Sequence, residues 1–364
     1  MPKGMTQMTL NIGILGIAHG HVGTYLGEWA KLDPSQIRVA AIWDHEARRA
    51  ADNAAKFNLA QEPSAESLLA RADISAVVIG AETSLHADLV ELAAQAGKTI
   101  VLQKPLALTL DQADRIVRAV EQHRVAFTLA WQMRIDPQNV LMRQLVREDR
   151  IGPVYMMRRR HGLPTQAWPW LVDSWHVNPS LNRGMWADDA CHAIDFVYWM
   201  LGRPESVSAE IVTRHNPKVP DDQGIAVFRY PDGALAEVVS SFTMLAGENT
   251  TEIVGPRGVV IQNYGDVPSC NAPASARPTL GLKWFLEGGK DWQVSDIATP
   301  ANHGLRIAAL APELLAFMHK RREPIATAEE GRIVLEMTLA CHLSAKLGRR
   351  VAISELRSHW GGGD

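Results

Sequence analysis

Over the first 130 residues, short apolar runs alternate with longer segments whose apolar residues recur at helical spacing. Residues 9–17 (Thr-Leu-Asn-Ile-Gly-Ile-Leu-Gly-Ile) read as a buried strand that runs into glycines. A helix should follow from about Val22 to Leu32, closed by Pro34. Further strands are expected at Ile37 to Trp43, Ile74 to Ile79, Thr99 to Leu102 and Val125 to Ala130. Helices are expected at Glu46 to Phe57, His86 to Ala96 and Leu110 to Gln122. Strands alternating with helices predict a parallel sheet with right-handed crossovers.

After about residue 150 the rhythm changes. Val154 to His161 reads as a strand, followed by a loop rich in tryptophan and proline. A helix from Trp186 to Leu201 is closed by Gly202 and Pro204. Ile225 to Tyr230 and Ala234 to Phe242 flank the turn Pro231-Asp232-Gly233. Thr251 to Val254 and Val259 to Gln262 flank a second turn, so hairpins and a mostly antiparallel sheet are expected here. Residues 263–304, rich in Gly, Pro and Asn, read as a long irregular excursion. Thr327 and Glu330 form a capping box for a helix to Leu347. The pattern predicts an α/β chain in two domains, 1–130 and 131–364, with the C-terminal helices left open to pack back on the first.

Composition narrows the class. A chain of 364 residues suits two domains, and 46% hydrophobic with 21% charged residues is ordinary globular usage. A formal net charge of −3 argues against a nucleic-acid partner. No apolar run approaches the ~20 residues that span a bilayer. Cys191, Cys270 and Cys341 are far apart and odd in number, which argues against a disulfide framework. Residues 1–9 carry no apolar signal segment, so a cytoplasmic location is expected. Of eleven tryptophans, four (Trp168, Trp170, Trp175, Trp186) fall in one short stretch.

The first strand leads directly into Gly16-Ile17-Ala18-His19-Gly20-His21. Small residues there let the backbone turn tightly, so that the next helix aims its N-terminus at a pyrophosphate. Measured against Gly-x-Gly-x-x-Gly, Gly16 fits the first glycine, Ala18 replaces the second and His21 the third. Asp44 ends the second strand, where a carboxylate accepts from ribose hydroxyls and repels a 2′-phosphate. NAD is therefore expected rather than NADP. His19 and His21 have no cysteine or carboxylate nearby to complete a metal shell, so no metal is expected.

Two segments carry candidate chemistry. Lys104, in Gln103-Lys104-Pro105, follows the strand Thr99 to Leu102. Asp188 and His192 stand at i and i+4 of the later helix and would share a face. A lysine, a carboxylate and an imidazole on one site can manage the proton that leaves a hydroxyl as its carbon gives up hydride. Gly97-Lys98-Thr99-Ile100-Val101-Leu102-Gln103-Lys104-Pro105, the segment Gly80 to His86, Arg134 with Pro137, and Asp188-x-x-x-His192-x-x-Asp195 together resemble the glucose–fructose oxidoreductase and inositol dehydrogenase family (Gfo/Idh/MocA) over almost the whole chain.

That resemblance implies an N-terminal Rossmann domain and a C-terminal α/β domain with a large, mostly antiparallel open sheet. The free face of such a sheet commonly makes a homodimer or homotetramer. It also implies that Lys104 touches nicotinamide ribose and substrate, that His192 is the general base, and that Asp188 orients substrate or histidine. Two departures stand out. Gln103 replaces a glutamate, which should lower the pKa of Lys104, and Glu82 replaces a proline near the expected nicotinamide end, where it would restore a carboxylate. His86 completes the expected cofactor set.

For the substrate, Trp170 and Trp175 offer flat faces to a sugar ring, with His176 assisting. Arg134 is a further candidate contact. Arg158 and Arg160 share one strand face, so Arg160 would meet an acidic sugar if that face lines the cleft, and a charged sheet face or oligomer contact is the competing assignment. The expected activity is NAD-dependent oxidation of a hydroxyl on a sugar, glycoside or inositol. The alternatives are redox-neutral glycoside cleavage with retained NAD, and a sugar or NAD sensor without turnover.

Overall fold

The computed structural model describes residues 9–245, 249–263, 281–298, 300 and 302–360. The chain divides into two compact units: Met1–Trp131 with Ile307–Arg332, and Gln132–Arg306 with Ile333–Asp364.

In the first unit, strands β1 (Leu10–Leu15), β2 (Ile37–Trp43), β3 (Ala60–Gln61), β4 (Ala76–Ile79), β5 (Thr99–Leu102) and β6 (Phe127–Leu129) form one sheet in the order β3-β2-β1-β4-β5-β6. All its pairings are parallel. Helices α1 (Gly20–Trp29), α2 (Ala47–Phe57), α3 (Ala65–Ala70), α4 (His86–Gln95) and α5 (Leu110–His123) connect the strands. The central strands are apolar on both faces, as a sheet covered on two sides requires: Ile12, Ile14, Val77, Val78, Ile100 and Val101 are fully buried. The stretch 307–332 completes this unit. Its helix Leu310–Met318 accepts a hydrogen bond at Ala311 O from Trp29 Nε1 (2.9 Å), and Ala326 O accepts from Leu129 N (2.9 Å) at the sheet edge.

The second unit holds a nine-stranded sheet. Its strands are β7 (Met156–Gly162), β8 (Ser206–Val212), β9 (Gln223–Arg229), β10 (Leu235–Ser241), β11 (Thr250–Gly255), β12 (Gly258–Asn263), β13 (Leu282–Leu286), β14 (Gln293–Val294) and β15 (Val351–Ala352). The order is β14-β13-β12-β11-β7-β10-β9-β8-β15. Every pairing is antiparallel except β7 with β10. One face is covered by helix α6 (Pro137–Arg147) and helix α7 (Cys191–Leu201), whose Ile194, Phe196 and Val197 are buried with Met157, Ala226 and Val238.

Several expectations need correction. The irregular excursion at 263–304 contains β13 and β14, although residues 264–280, with Cys270, lie outside the described residues. Helix α6 was not anticipated, yet Asp136 caps it, accepting from Gln138 N (3.0 Å), and Pro137 opens it. The segment Trp186–Ala190 is not α-helical but a π-turn leading into α7. The capping box is as expected: Thr327 Oγ1 accepts from Glu330 N (3.1 Å) and Glu330 Oε2 accepts from Thr327 N (2.9 Å).

Candidate active site

In the first unit the turn after β1 sits where a parallel sheet receives ligands, at the C-terminal strand ends. Gly16 has φ of +76°, and a Cβ there would lie 2.5 Å from Ala81 Cβ, so only glycine fits. His19 caps α1, its Nδ1 accepting from His21 N (3.4 Å), and its own N–H donates to Gly80 O (2.9 Å). At exposed Gly20 an added Cβ would meet nothing within 4 Å, which leaves open space at the start of α1. Ala18 and His21 are half-buried beside it. A glycine turn, a helix N-terminus and open space before it fit the pyrophosphate of a dinucleotide.

Asp44, just past β2, is the hub of this end. Its Oδ2 accepts from Ile17 N (2.8 Å) and Arg49 Nε (2.8 Å), and its Oδ1 from Glu46 N (2.8 Å) and Arg49 Nη2 (2.7 Å). Glu82, just past β4, reaches the same guanidinium: Arg49 Nη2 lies 2.9 Å from Oε1 and 3.2 Å from Oε2. Burial works against the charge on Arg49, but hydrogen bonds and attraction from Asp44 and Glu82 outweigh it and hold its pKa above the ordinary value. Glu82 therefore joins Asp44, and the expectation that it restores a carboxylate at the nicotinamide end is corrected. His45, Glu46 and Glu82 form a cluster of metal-ligand types, but Arg49 already stands among them, 3.8 Å from Glu46.

Two expected cofactor contacts are structural instead. His86 is fully buried, its ring nitrogens against the carbonyl oxygens of Pro105 (3.0 Å) and Ala81 (3.2 Å). Gln103 is also fully buried and donates from Nε2 to the Tyr25 hydroxyl (2.9 Å). Burial holds that hydroxyl protonated, well above its ordinary pKa. Neither side chain has a surface left for a cofactor. Lys104, two residues past β5 and 3% exposed, keeps the strand-end position expected of it.

In the second unit the π-turn decides which side chains meet. Asp188 Oδ2 lies 3.1 Å from His176 Nδ1. Asp189 bridges two histidines, with Oδ2 2.7 Å from His161 Nε2 and Oδ1 3.6 Å from His192 Nε2. Gln132 Nε2 stands 3.4 Å from the same His192 nitrogen. All six residues are buried or half-buried. Asp189 is thus part of the histidine cluster. His161 belongs to it because β7 turns His161 and Arg159 toward α7.

Alternation along β7 turns Arg160 the other way. With Arg158, Glu237 and Glu252 it lines a 250 Å³ depression on the opposite sheet face, away from His161, so Arg160 is corrected as a contact for a substrate held at this cluster. Arg134 is likewise committed inside: its guanidinium holds buried Asp195 at 2.7–3.2 Å. The tryptophans do gather. Trp170, 58% exposed, stacks with Trp168 at 5.9 Å, and Trp175 stacks on His176 at 3.9 Å. His161, Asp189, Arg49 and the role of Glu82 escaped the sequence analysis, since no local spacing links them. The Arg-Arg-Arg-His run of β7 carried the only signal for His161, by strand alternation.

Residues 10–130 match the family described as oxidoreductase family, NAD-binding Rossmann fold, and residues 140–261 match the GFO/IDH/MocA C-terminal domain. Levoglucosan dehydrogenase of Pseudarthrobacter phenanthrenivorans is 27% identical over 242 residues, 59% of this chain and 62% of that protein. Inositol 2-dehydrogenase 2 of Saccharopolyspora erythraea is 32% identical over 216 residues, 58% of each chain. The matching stretch thus spans about three fifths of these relatives. Myo-inositol 2-dehydrogenase of Thermotoga maritima is 23% identical over 95% of this chain and 99% of its own. Among solved structures, levoglucosan dehydrogenase in complex with NADH and levoglucosan has a TM-score of 0.80 at 21% identity, covering 95% of this chain and 100% of that one, a likeness of fold. No described helix is long and apolar enough to cross a membrane.

Proposed function

The chain belongs to the GFO/IDH/MocA oxidoreductase family, and on that premise we propose that it is an NAD-dependent dehydrogenase that oxidises a secondary hydroxyl of a sugar, glycoside or inositol. The observation that carries this reading is the cluster in the second unit, where two carboxylates contact three histidines beside a tryptophan shelf. Bound NAD would supply the hydride acceptor. Exposed Trp170 and half-buried Trp175 would lie against the C–H faces of the ring. Asp188 would accept from a substrate hydroxyl while His176 holds its carboxylate. The His192 imidazole would take the hydroxyl proton, with Asp189 stabilising the imidazolium that results. Lys104 would hold a substrate oxygen at the cofactor end. The curated relatives named for levoglucosan and inositol support a neutral, hydroxyl-rich ring, and so does the turn of Arg160 away from the cluster. Assembly into a homo-oligomer through the open face of the nine-stranded sheet is part of the same proposal.

The test is absorbance of reduced nicotinamide while the protein and NAD are offered inositols, anhydrosugars, glycosides and sugar acids. Growth of NADH with a neutral ring class is the expected result. A flat trace across the panel from protein that binds NAD would overturn the net-oxidation reading.

A further inference from the structure

We propose that Glu82 is a specificity-determining residue for the cofactor, holding Arg49 against Asp44 so that the site takes NAD and rejects NADP. This rests on the NAD-binding reading of the first unit and goes beyond it, because Asp44 alone does not account for the geometry. A carboxylate offers about four acceptor sites. Those of Asp44 face four donors, the N–H groups of Ile17 and Glu46 and two from Arg49. The bidentate guanidinium lies across the acid that a ribose would otherwise meet directly, and the Asp44 side chain has no exposed surface.

An arginine at this end of a Rossmann sheet is also the group that accommodates a 2′-phosphate. What Arg49 does therefore depends on what holds it. Asp44 grips one edge of the fork, and Glu82, 1% exposed, takes Nη2 from the other side at 2.9 and 3.2 Å. His45 Nδ1 stands 3.5 Å from both carboxylates. Three carboxylates, those of Asp44, Glu82 and, at 3.8 Å, Glu46, surround one guanidinium, so the fork sits in net negative charge. A 2′-phosphate would meet that charge and an arginine whose Nε and Nη2 are already engaged by carboxylates, whereas ribose hydroxyls carry no charge to repel. Glu82 stands 38 residues beyond Asp44 and follows a different strand, so no fingerprint around Asp44 contains it. Replacing Glu82 with an isosteric neutral amide removes one of these negative charges and releases one side of Nη2 toward an incoming phosphate.

The experiment is calorimetric titration of NAD and NADP into the full-length protein and into Glu82→Gln, Arg49→Lys and the double variant, with thermal midpoints confirming that each is folded. The wild type should prefer NAD by about tenfold or more; Glu82→Gln should tighten NADP by about tenfold while moving NAD less than about threefold. Arg49→Lys keeps the charge but loses the fork, so in the double variant most of the NADP gain should disappear. A ratio of NADP to NAD affinity unchanged by Glu82→Gln overturns the proposal, and so does a gain that survives in the double variant. Absence of any dinucleotide binding overturns it together with the cofactor reading. The expected shifts without turnover on any carbohydrate would uphold it and sink only the dehydrogenase reading.

Discussion

Burying a carboxylate costs stability unless its charge is matched, and Asp221 is a case where it is not. Burial, and then the negative charge of neighbouring Asp222, push its pKa up to about 6. Nearby His342, whose Nδ1 is 3.9 Å away, offers little relief, since burial and then the charge of Arg183 push its own pKa down to about 4. Asp221 also has φ of +61°, a region that asparagine tolerates well. The folded pKa lies above the unfolded one, so the ionised form destabilises the fold at neutral pH and the cost is relieved as pH falls through 6. Asp221→Asn should therefore stabilise the protein at pH 7.5 by about 1–2 kcal/mol, allowing for screening at its partly exposed edge. The gain should shrink as pH falls toward 4. Thermal unfolding across that range checks it, and no gain at pH 7.5 refutes it. In the histidine cluster, Asp189→Asn should lower kcat by about 10²-fold or more with a small change in thermal midpoint. His161→Gln should shift the pH profile of kcat rather than KM, because His161 shares Asp189 with His192 and its ring lies 5.9 Å from the His192 ring. A wild-type profile in both would remove that bridge from the mechanism.

At the scale of elements, the π-turn Trp186–Ala190 matters most. Such turns are rare and cluster at functional sites, because the extra residue re-aims the side chains around it. Reading Asp188 and His192 as an ordinary i, i+4 pair left Asp189 with no role, whereas the turn brings Asp188 to His176 and Asp189 to His161 and His192. The turn is seated by Trp186, fully buried over Gly224 of β9, where a Cβ would come within 2.2 Å of the indole. Gly224→Ala should cost about 1–3 kcal/mol through overpacking and should also lower kcat, because the displaced indole carries the turn with it. Loss of stability with unchanged kcat would show that the turn does not set the site. The strands β2 and β5 were legible to the residue, since β-branched runs between turn residues leave few alternatives. The short β13 and β14 and the capped α6 were not, because their local signals are weak without the sheet or core they complete.

For the whole molecule, the open face of the larger sheet poses the question of assembly. Met156, Ile225 and Leu235 stand 39–48% exposed on adjacent strands, around the Arg158–Glu237 ion pair (2.7 Å). An apolar surface rimmed by charge marks an interaction face. Ile225→Glu should halve or quarter the mass measured by light scattering while leaving the secondary structure intact, and a monomeric wild type would refute assembly through this face.

The sequence by itself determined the division into a parallel and a mostly antiparallel half, the glycine turn, the acid ending β2 and the lysine ending β5. Each of these is written in local periodicity or in a residue type that only one backbone geometry accepts. Tertiary structure alone decided that residues 307–332 complete the first unit, that Glu82 meets Arg49 and Asp44 rather than the nicotinamide end, that Gln103 and His86 are buried, and that His161 rather than Arg160 joins the histidine cluster. The physical reason is common to all four. These partners are set by which strand ends and helix faces the fold brings side by side, and distance along the chain carries no record of that adjacency.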